Sequence, residues 1–456
     1  MAEKSKVNNS LNSYYLLTLG CAKNLVESEY LAGQLHQAGY QPVSQPADAV
    51  WLLVNTCAFI TSAVEENIDH ILTLAAGKQA GQKLVVIGCL VGRFARKLQK
   101  IIPEADLFIA PGQTGNLLNL LQTPPPNCVA LAPARDILNG PRIISTGPSW
   151  AYLRLSDGCR RRCSFCAIPH IRGKLRSRSQ EEVLTEAGDL ASAGVREINL
   201  VAQDLSSYGW DQGKKNGLLE LLEKLNFIAG LRWIRLLYLH PDILNESFLR
   251  RAGELDKLLP YFDIPLQHIS RPVLAAMGRS GSREELERAF KLLKKIIPQA
   301  IIRTTVMVGH PGEEEADFAQ LTDFINEFKF NHLGCFIFEP QPGTRSARLP
   351  QVAGSVARAR YKKVMALQKK ISRAHLRALL GTQQDMLFLG AHPESRLLGS
   401  GRLWSQAPEA DGEALVVEGW AEPGSIVKAT VQKAHDYDLE VKIAAQPASD
   451  SAYVKS

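Results

Sequence analysis

The sequence predicts an α/β protein in three parts: an N-terminal doubly wound parallel sheet, a central partial (β/α) barrel and a C-terminal small β-barrel. Three observations predict it. Apolar runs alternate with helical patterns from residue 14 to 122, a second alternation of different spacing runs from Trp150 to about Leu380, and short strand patterns with Gly and Pro turns follow Gly381. A chain of 456 residues, 45% of them hydrophobic, is long enough for two to four domains with real cores.

In the first block YYLLTL, VWLLVN, KLVVIG and DLFIA read as strands. Helices lie between them through NLVESEYLAGQLHQAG, from Thr61 to about Ala76, and after KLVVIG. Such sheets bind ligands beyond the carboxyl ends of their strands. TPPPNCVALAPARD has turn composition and reads as a linker.

In the second block AYLRLS, REINLVA, WIRLLYL, FDIPLQ, IIRTTVMVG and HLGCFIF read as strands, with helices after Ser179, near Leu218, after Ser282 and from Glu314. Ser179 with Glu182 and Ser282 with Glu285 fit the S-x-x-E capping box. About six βα units make an open or partial barrel, whose chemistry belongs at the carboxyl strand ends. A long amphipathic helix through VARARYKKVMALQKKISRAHLRALL ends at Gly381 and leads into the small barrel. The expected division is a disordered N-terminus 1–12, an N-terminal domain 13–124, a linker 125–144, a core 145–380, a small barrel 381–446 and a tail 447–456.

The first dozen residues are polar and lack the apolar stretch of a signal peptide. No run approaches the roughly 20 apolar residues of a membrane helix, so a cytoplasmic protein with no membrane partner is expected. In that reducing setting eight cysteines do not suggest a disulfide framework, and clustered ones read as metal ligands or catalytic thiols. The net charge of +7 is unevenly spread: residues 381–443 carry ten acids against five bases, net −5, which leaves +12 for the rest. A free-standing nucleic-acid module would be expected to carry the opposite sign.

Six cysteines fall into two groups of three. Cys159, Cys163 and Cys166 form a Cys-x3-Cys-x2-Cys loop, SDGCRRRCSFC, after the first strand of the second block. Three thiolates so spaced can each hold one iron of a 4Fe-4S cluster. The fourth iron is then free for the amino and carboxylate groups of S-adenosylmethionine, whose sulfonium splits on receiving an electron to give a 5′-deoxyadenosyl radical. The other reading is a zinc knuckle, which needs a fourth ligand such as His170. Cys21, Cys57 and Cys89 each follow a strand-like run, YLLTLGC, WLLVNTC and LVVIGC. If the runs are neighbouring parallel strands, three thiols converge at one sheet edge as a second cluster site; otherwise they are structural thiols. Cys128 and Cys335 read as ordinary residues.

Arg160, Arg161, Arg162, Arg172, Lys174, Arg176 and Arg178 crowd the first loop, either to attract a carboxylate or RNA phosphate or as a solvated charge run. Gln203, Gln267, Arg303 and Gly309, near strand ends, are candidate contacts to adenosylmethionine; each has a plain packing or turn reading beside it. No G-x4-GK[ST] loop is present, so ATP chemistry is not indicated.

Taken together, the three-cysteine N-terminal domain, the cysteine-loop core and the terminal barrel resemble the methylthiotransferases, a branch of the radical adenosylmethionine enzymes, over nearly the whole chain. GCAKNLVESE, CSFCAIPHIRGKLRSR, YFDIPLQHIS and QAPEADG are most similar to members that modify ribosomal protein S-twelve. The tRNA-modifying members usually read closer to CTFC-VVP-YTRG and carry a basic TRAM barrel. An acidic barrel agrees with a basic ribosomal protein as partner. The chain departs from the pattern at Ala22, where Pro is usual, at His310, where Phe is common before PGE, and in FEPQPGT, which replaces a more polar segment.

The resemblance implies a radical core of the adenosylmethionine type, a TRAM barrel and two 4Fe-4S clusters, with no catalytic residue beyond the cluster ligands. The cluster on Cys159, Cys163 and Cys166 would generate the radical that takes hydrogen from the β-carbon of an aspartate. Sulfur would come from the cluster on Cys21, Cys57 and Cys89, and methyl from another adenosylmethionine. It further implies an electron donor such as flavodoxin or ferredoxin and proximity to ribosomal RNA. The rivals are a tRNA adenosine methylthiotransferase and a non-catalytic iron-sulfur protein that binds the ribosome.

Overall fold

The computed structural model describes residues 12–131 and 140–444, so the expected disordered N-terminus and the tail lie outside the described residues except at Asn12. The N-terminal sheet is parallel throughout, in the order Gln41–Pro42, Ser13–Thr18, Trp51–Thr56, Lys83–Gly88, Leu107–Ile109, Val129–Ala130. Leu53, Val54, Val85 and Val86 are fully buried because the crossover helices cover both faces, which is why these strands read as unbroken apolar runs. Thr18 pairs with Asn55 and Thr56 with Gly88, so the three cysteine-bearing strands end nearly level.

Val129–Ala130 corrects the expected boundary at residue 124. The Phe108 amide donates to the Cys128 carbonyl at 2.8 Å, so part of the presumed linker is the sheet's last strand. Two residues among prolines are too short to register as an apolar run.

The core is a second six-stranded parallel sheet: His332–Ile337, Ile301–Val308, Leu258–Asp263, Trp233–Leu236, Glu197–Val201, Trp150–Arg154. Alternation along the strands divides it. Ala151, Leu153, Ile198, Leu200, Ile234 and Phe262 face the outer helices, while Trp150, Tyr152, Trp233 and Tyr261 belong to a separate inner cluster. Both expected capping boxes are present, at Ser179/Glu182 and Ser282/Glu285.

The helix Gly354–Arg377 stops four residues before Gly381, whose amide already joins the terminal barrel through Val431. That barrel is closed, in the order Gln383–His392, Ser395–Leu403, Ala414–Glu418, Leu439–Ile443, Ile426–Ala434. Its loop Trp404–Asp411 enters the core at the amino ends of the core strands. There Arg235 donates to the Trp404 carbonyl at 2.9 Å, Tyr152 to Glu409 at 2.9 Å and Tyr261 to Asp411 at 2.6 Å. The buried Glu197, which opens its strand, is shared by Arg235 at 2.9 Å and by Arg402 of the small barrel at 2.6 Å. Among the described residues no helix is long and apolar enough to cross a membrane.

Candidate functional site

Each N-terminal cysteine sits where a strand hands over to a helix. Cys21 caps the helix Ala22–Gln37, Cys57 directly follows Trp51–Thr56, and Cys89 opens the helix Cys89–Ile101. The strands being neighbours, the three thiols come to one edge, close enough for Cys21 to act electrostatically on Cys57 and for both to act on Cys89. The turns are tight. Gly20 has φ +99°, and a Cβ there would stand 2.5 Å from the Cβ of Cys57. Asn24 ties two turns together, donating to Leu19 O at 3.0 Å and Thr56 O at 2.9 Å, while Asn67 accepts from the Cys57 amide at 2.8 Å.

Burial pushes the Cys89 thiol up to about 12 and the Cys57 thiol above its ordinary value. Burial acts on Cys21 too, but the Lys23 ammonium, backbone N–H groups and Arg172 outweigh it and hold that thiol low. Iron binds thiolates, so loading this site releases protons.

The second set lies in the loop between Ser156–Asp157 and the short helix Ile168–Ile171, beyond the carboxyl end of the first core strand. The Arg161 amide donates to Cys159 Sγ at 3.4 Å, and Arg279 points a guanidinium nitrogen at Cys163 Sγ from 3.9 Å. Phe165 anchors the loop among Val273, Met277 and Phe338, with Cys163 and Cys166 against that cluster. Burial raises Cys159 to about 11 and Cys166 to about 12, with Cys163 adding to each. His170 is exposed, and among the described residues no three His, Cys, Asp or Glu side chains form a ready ligand sphere for one metal ion. Two sets of three soft donors, each at a loop that can wrap a cube, fit three-cysteine iron-sulfur ligation.

Arg172 connects the sets. It follows the core's cysteine loop, yet its side chain is 2% exposed and reaches the N-terminal domain. There it meets Cys89 Sγ at 3.3 Å, Asn24 Oδ1 at 2.9 Å and Glu27 Oε2 at 2.9 Å, with Asp157 of the core 3.6 Å away. Sequence reading counted Arg172 only as one of seven crowded bases; nothing in the spacing marks it as the one that crosses domains.

Four of these seven bases, Arg161, Arg172, Arg176 and Arg178, are held in ion pairs within the molecule, while Arg160, Arg162 and Lys174 are exposed. Arg161 pairs with Asp204 and Asp242, Arg176 with Asp157, and Arg178 with Glu186, while Arg160 lies 3.8 Å over the Trp210 ring.

The four adenosylmethionine candidates belong to, or follow, three different core strands. Gln203 stands just past its strand, donates to Asp157 at 2.9 Å and leaves its Oε1 buried without a partner. Gln267 has φ +70° and joins the neighbouring strand through its backbone, Gln267 N to Thr305 O at 2.8 Å. Gly309 follows Ile301–Val308, where an added Cβ would be 2.6 Å from Ala357, so its small size serves helix packing. Arg303 is the correction: it is the third residue of an eight-residue strand, not near the carboxyl end, and pairs at 2.6 Å with Asp411 of the small barrel.

Two departures from the family pattern have structural roles. His310 is buried and driven down to about 4, and its neutral ring makes edge contacts with Phe165 and Phe338 as an aromatic residue would. In FEPQPGT, Gln341 accepts from Arg93 at 2.9 Å and Glu339 from the Thr61 amide at 2.9 Å, joining core to N-terminal domain.

The Radical SAM superfamily matches residues 153–325, uncharacterized protein family UPF0004 residues 13–110 and the TRAM domain residues 380–443. The core therefore brings S-adenosylmethionine and a 4Fe-4S cluster as cofactors. In fold, the chain is similar to the radical S-adenosylmethionine methyltransferase TsrM from Kitasatospora setae, with TM-score 0.54, 14% identity, and coverage of 74% of this chain and 75% of that one. In sequence it is 43% identical to the ribosomal protein uS12 methylthiotransferase RimO of Syntrophobacter fumaroxidans, over 94% of this chain and 98% of that protein. It is 40% identical to the protein of the same name from Aquifex aeolicus, over 93% and 95%. With cysteine sets, core and barrel all accounted for along nearly its full length, the chain belongs to the RimO family of radical SAM methylthiotransferases.

Proposed function

We propose that the chain adds a methylthio group to the β-carbon of an aspartate in ribosomal protein uS12, using two 4Fe-4S clusters, one on each cysteine set. The observation that supports this reading is Arg172, which follows the core's cysteine loop and reaches Cys89 of the other set at 3.3 Å. When bound, a cube with one iron free of protein ligands supplies the electron that splits adenosylmethionine, and the second cube is the source of sulfur.

The chain's own residues orient and tune. The Arg161 amide and Arg279 place donors at the sulfurs of Cys159 and Cys163, which shifts the potential of whatever those sulfurs hold. Gln203 offers a buried, unpartnered acceptor just beyond a strand end, suited to an N–H or hydroxyl of adenosylmethionine. Phe165 and its apolar neighbours keep water from the loop. A flavodoxin- or ferredoxin-class protein is the proposed electron donor, and the cytoplasm the proposed setting.

The tRNA alternative is disfavoured by the net charge of −5 on residues 381–443, which opposes a phosphate backbone. Anaerobically reconstituted enzyme, given adenosylmethionine and reductant, is incubated with uS12 and separately with tRNA, and each is weighed by mass spectrometry. A methylthio mass on uS12 is expected; mass on tRNA alone rejects the assignment. Absence of 5′-deoxyadenosine would instead leave only an iron-sulfur binding protein.

A further inference from the structure

Lys23 is a buried cation in an improbable place. It stands two residues after Cys21 in the first turn of Ala22–Gln37, where the positive end of the helix opposes another positive charge. It is only 8% exposed, and Arg172 adds like-charge repulsion nearby. Burying an ammonium costs heavily unless an anion accompanies it. Among the described residues none does so within ion-pair distance. Glu27 is committed to Arg172 at 2.9 Å and Thr114 at 3.1 Å, and Asp263 accepts from the Tyr238 amide at 2.9 Å.

What Lys23 has is a ring. Its Nζ lies 3.7 Å from the centroid of Tyr238, which follows the core strand Trp233–Leu236. Tyr238 has φ +60°, a conformation a bulky residue rarely adopts, so the backbone is held in an unfavourable state with its ring over the ammonium. Burial lowers the pKa of Lys23, but Tyr238, Cys21 and Cys57 outweigh this and keep the ammonium charged, while the ring face leaves its other donors without a hydrogen-bond partner among the described residues. The pair therefore forms a cationic seat at the boundary between the domains, beside one cysteine set and at the open end of the core strands.

Resting on the functional reading above, we propose that Lys23, steadied by Tyr238, anchors the side-chain carboxylate of the substrate aspartate and so selects an acidic side chain over a neutral one. A carboxylate fixed there presents the adjacent carbon at the boundary between the two cysteine sets. Lys23 also acts electrostatically on Cys21 and Cys57, so the rival role is a counter-charge for an iron-sulfur centre.

The test is a double-mutant cycle on the anaerobically reconstituted holoenzyme, read as equilibrium binding of uS12 without reductant. The proteins are wild type, Lys23→Met and Lys23→Arg; the ligands are native uS12 and uS12 with its modified aspartate replaced by asparagine. Lys23→Met, with its iron content measured alongside, is expected to bind native uS12 roughly 30-fold or more weakly, the scale of losing one partner of a buried charge pair. The asparagine ligand should bind wild type and Lys23→Met alike, and Lys23→Arg should regain much of the affinity for native uS12. Equal affinity of wild type and Lys23→Met for native uS12 overturns the assignment, as does loss of iron in Lys23→Met, which marks the counter-charge role. Should wild type itself neither bind nor modify uS12, the functional reading falls first and this inference with it.

Discussion

The Nε of Arg172 lies 3.3 Å from the Sγ of Cys89, so a guanidinium carried by the core ends within the ligand set of the N-terminal domain. Its buried neighbour Glu27 accepts from it at 2.9 Å. Arg172→Leu is expected to cost about 3–5 kcal/mol, the usual penalty for stranding one member of a buried pair. It should also lower the iron content toward that of a single centre. Arg172→Lys restores charge but not the planar fork, and should recover stability only partly. Thermal denaturation and iron analysis of anaerobically purified protein check both.

The cysteine sets should separate by function. Cys163→Ala is expected to abolish 5′-deoxyadenosine formation, whereas Cys57→Ala should spare it and prevent methylthio transfer. Chromatographic assay of the nucleoside and mass analysis of uS12 read the two steps independently. Equal loss of nucleoside in both variants contradicts the division.

Gly20→Ala tests the turn geometry. At φ +99°, with a Cβ 2.5 Å from that of Cys57, even a methyl group has nowhere to go without moving a ligand. Iron should fall by about half while 5′-deoxyadenosine formation persists. A variant with full iron content would show that the edge relaxes more readily than the contacts imply.

Asp411 should confer acid sensitivity. Burial raises its carboxyl, but His332, Arg303, the Ala407 amide and Tyr261 outweigh this and hold it below the usual carboxylate range. A depressed folded-state pKa gives stability that is complete above about pH 4, near the unfolded value, and is lost as pH falls through the folded value. Asp411→Asn should therefore be less stable than wild type at pH 7 and show a shallower loss on acidification. Denaturant melts at several pH values check the slope. Hydrogen exchange should show residues 404–412 opening first.

Much of this was legible. The unbroken apolar runs announced strands buried on both faces, and their cysteines were level because Thr56 and Gly88 share a register. The capping boxes marked helix starts because a reciprocal side-chain and backbone bond needs only local sequence. What escaped depends on contacts between distant segments. Arg303 resembled a strand-end ligand until the chain 108 residues later supplied Asp411. The acids of the small barrel count in the sequence only toward its net charge, yet Asp436 pairs with Lys369 and Arg373, and Asp385 with Lys428. Arg172 and Lys23 were indistinguishable from other bases, since burial across a domain boundary leaves no periodic trace.

The loop Trp404–Asp411 is a stopper in the floor of the core, knotted in by Arg235, Tyr152, Tyr261 and Arg303. That end of the core is closed by the small barrel's own loop, opposite the rim where the cysteines stand.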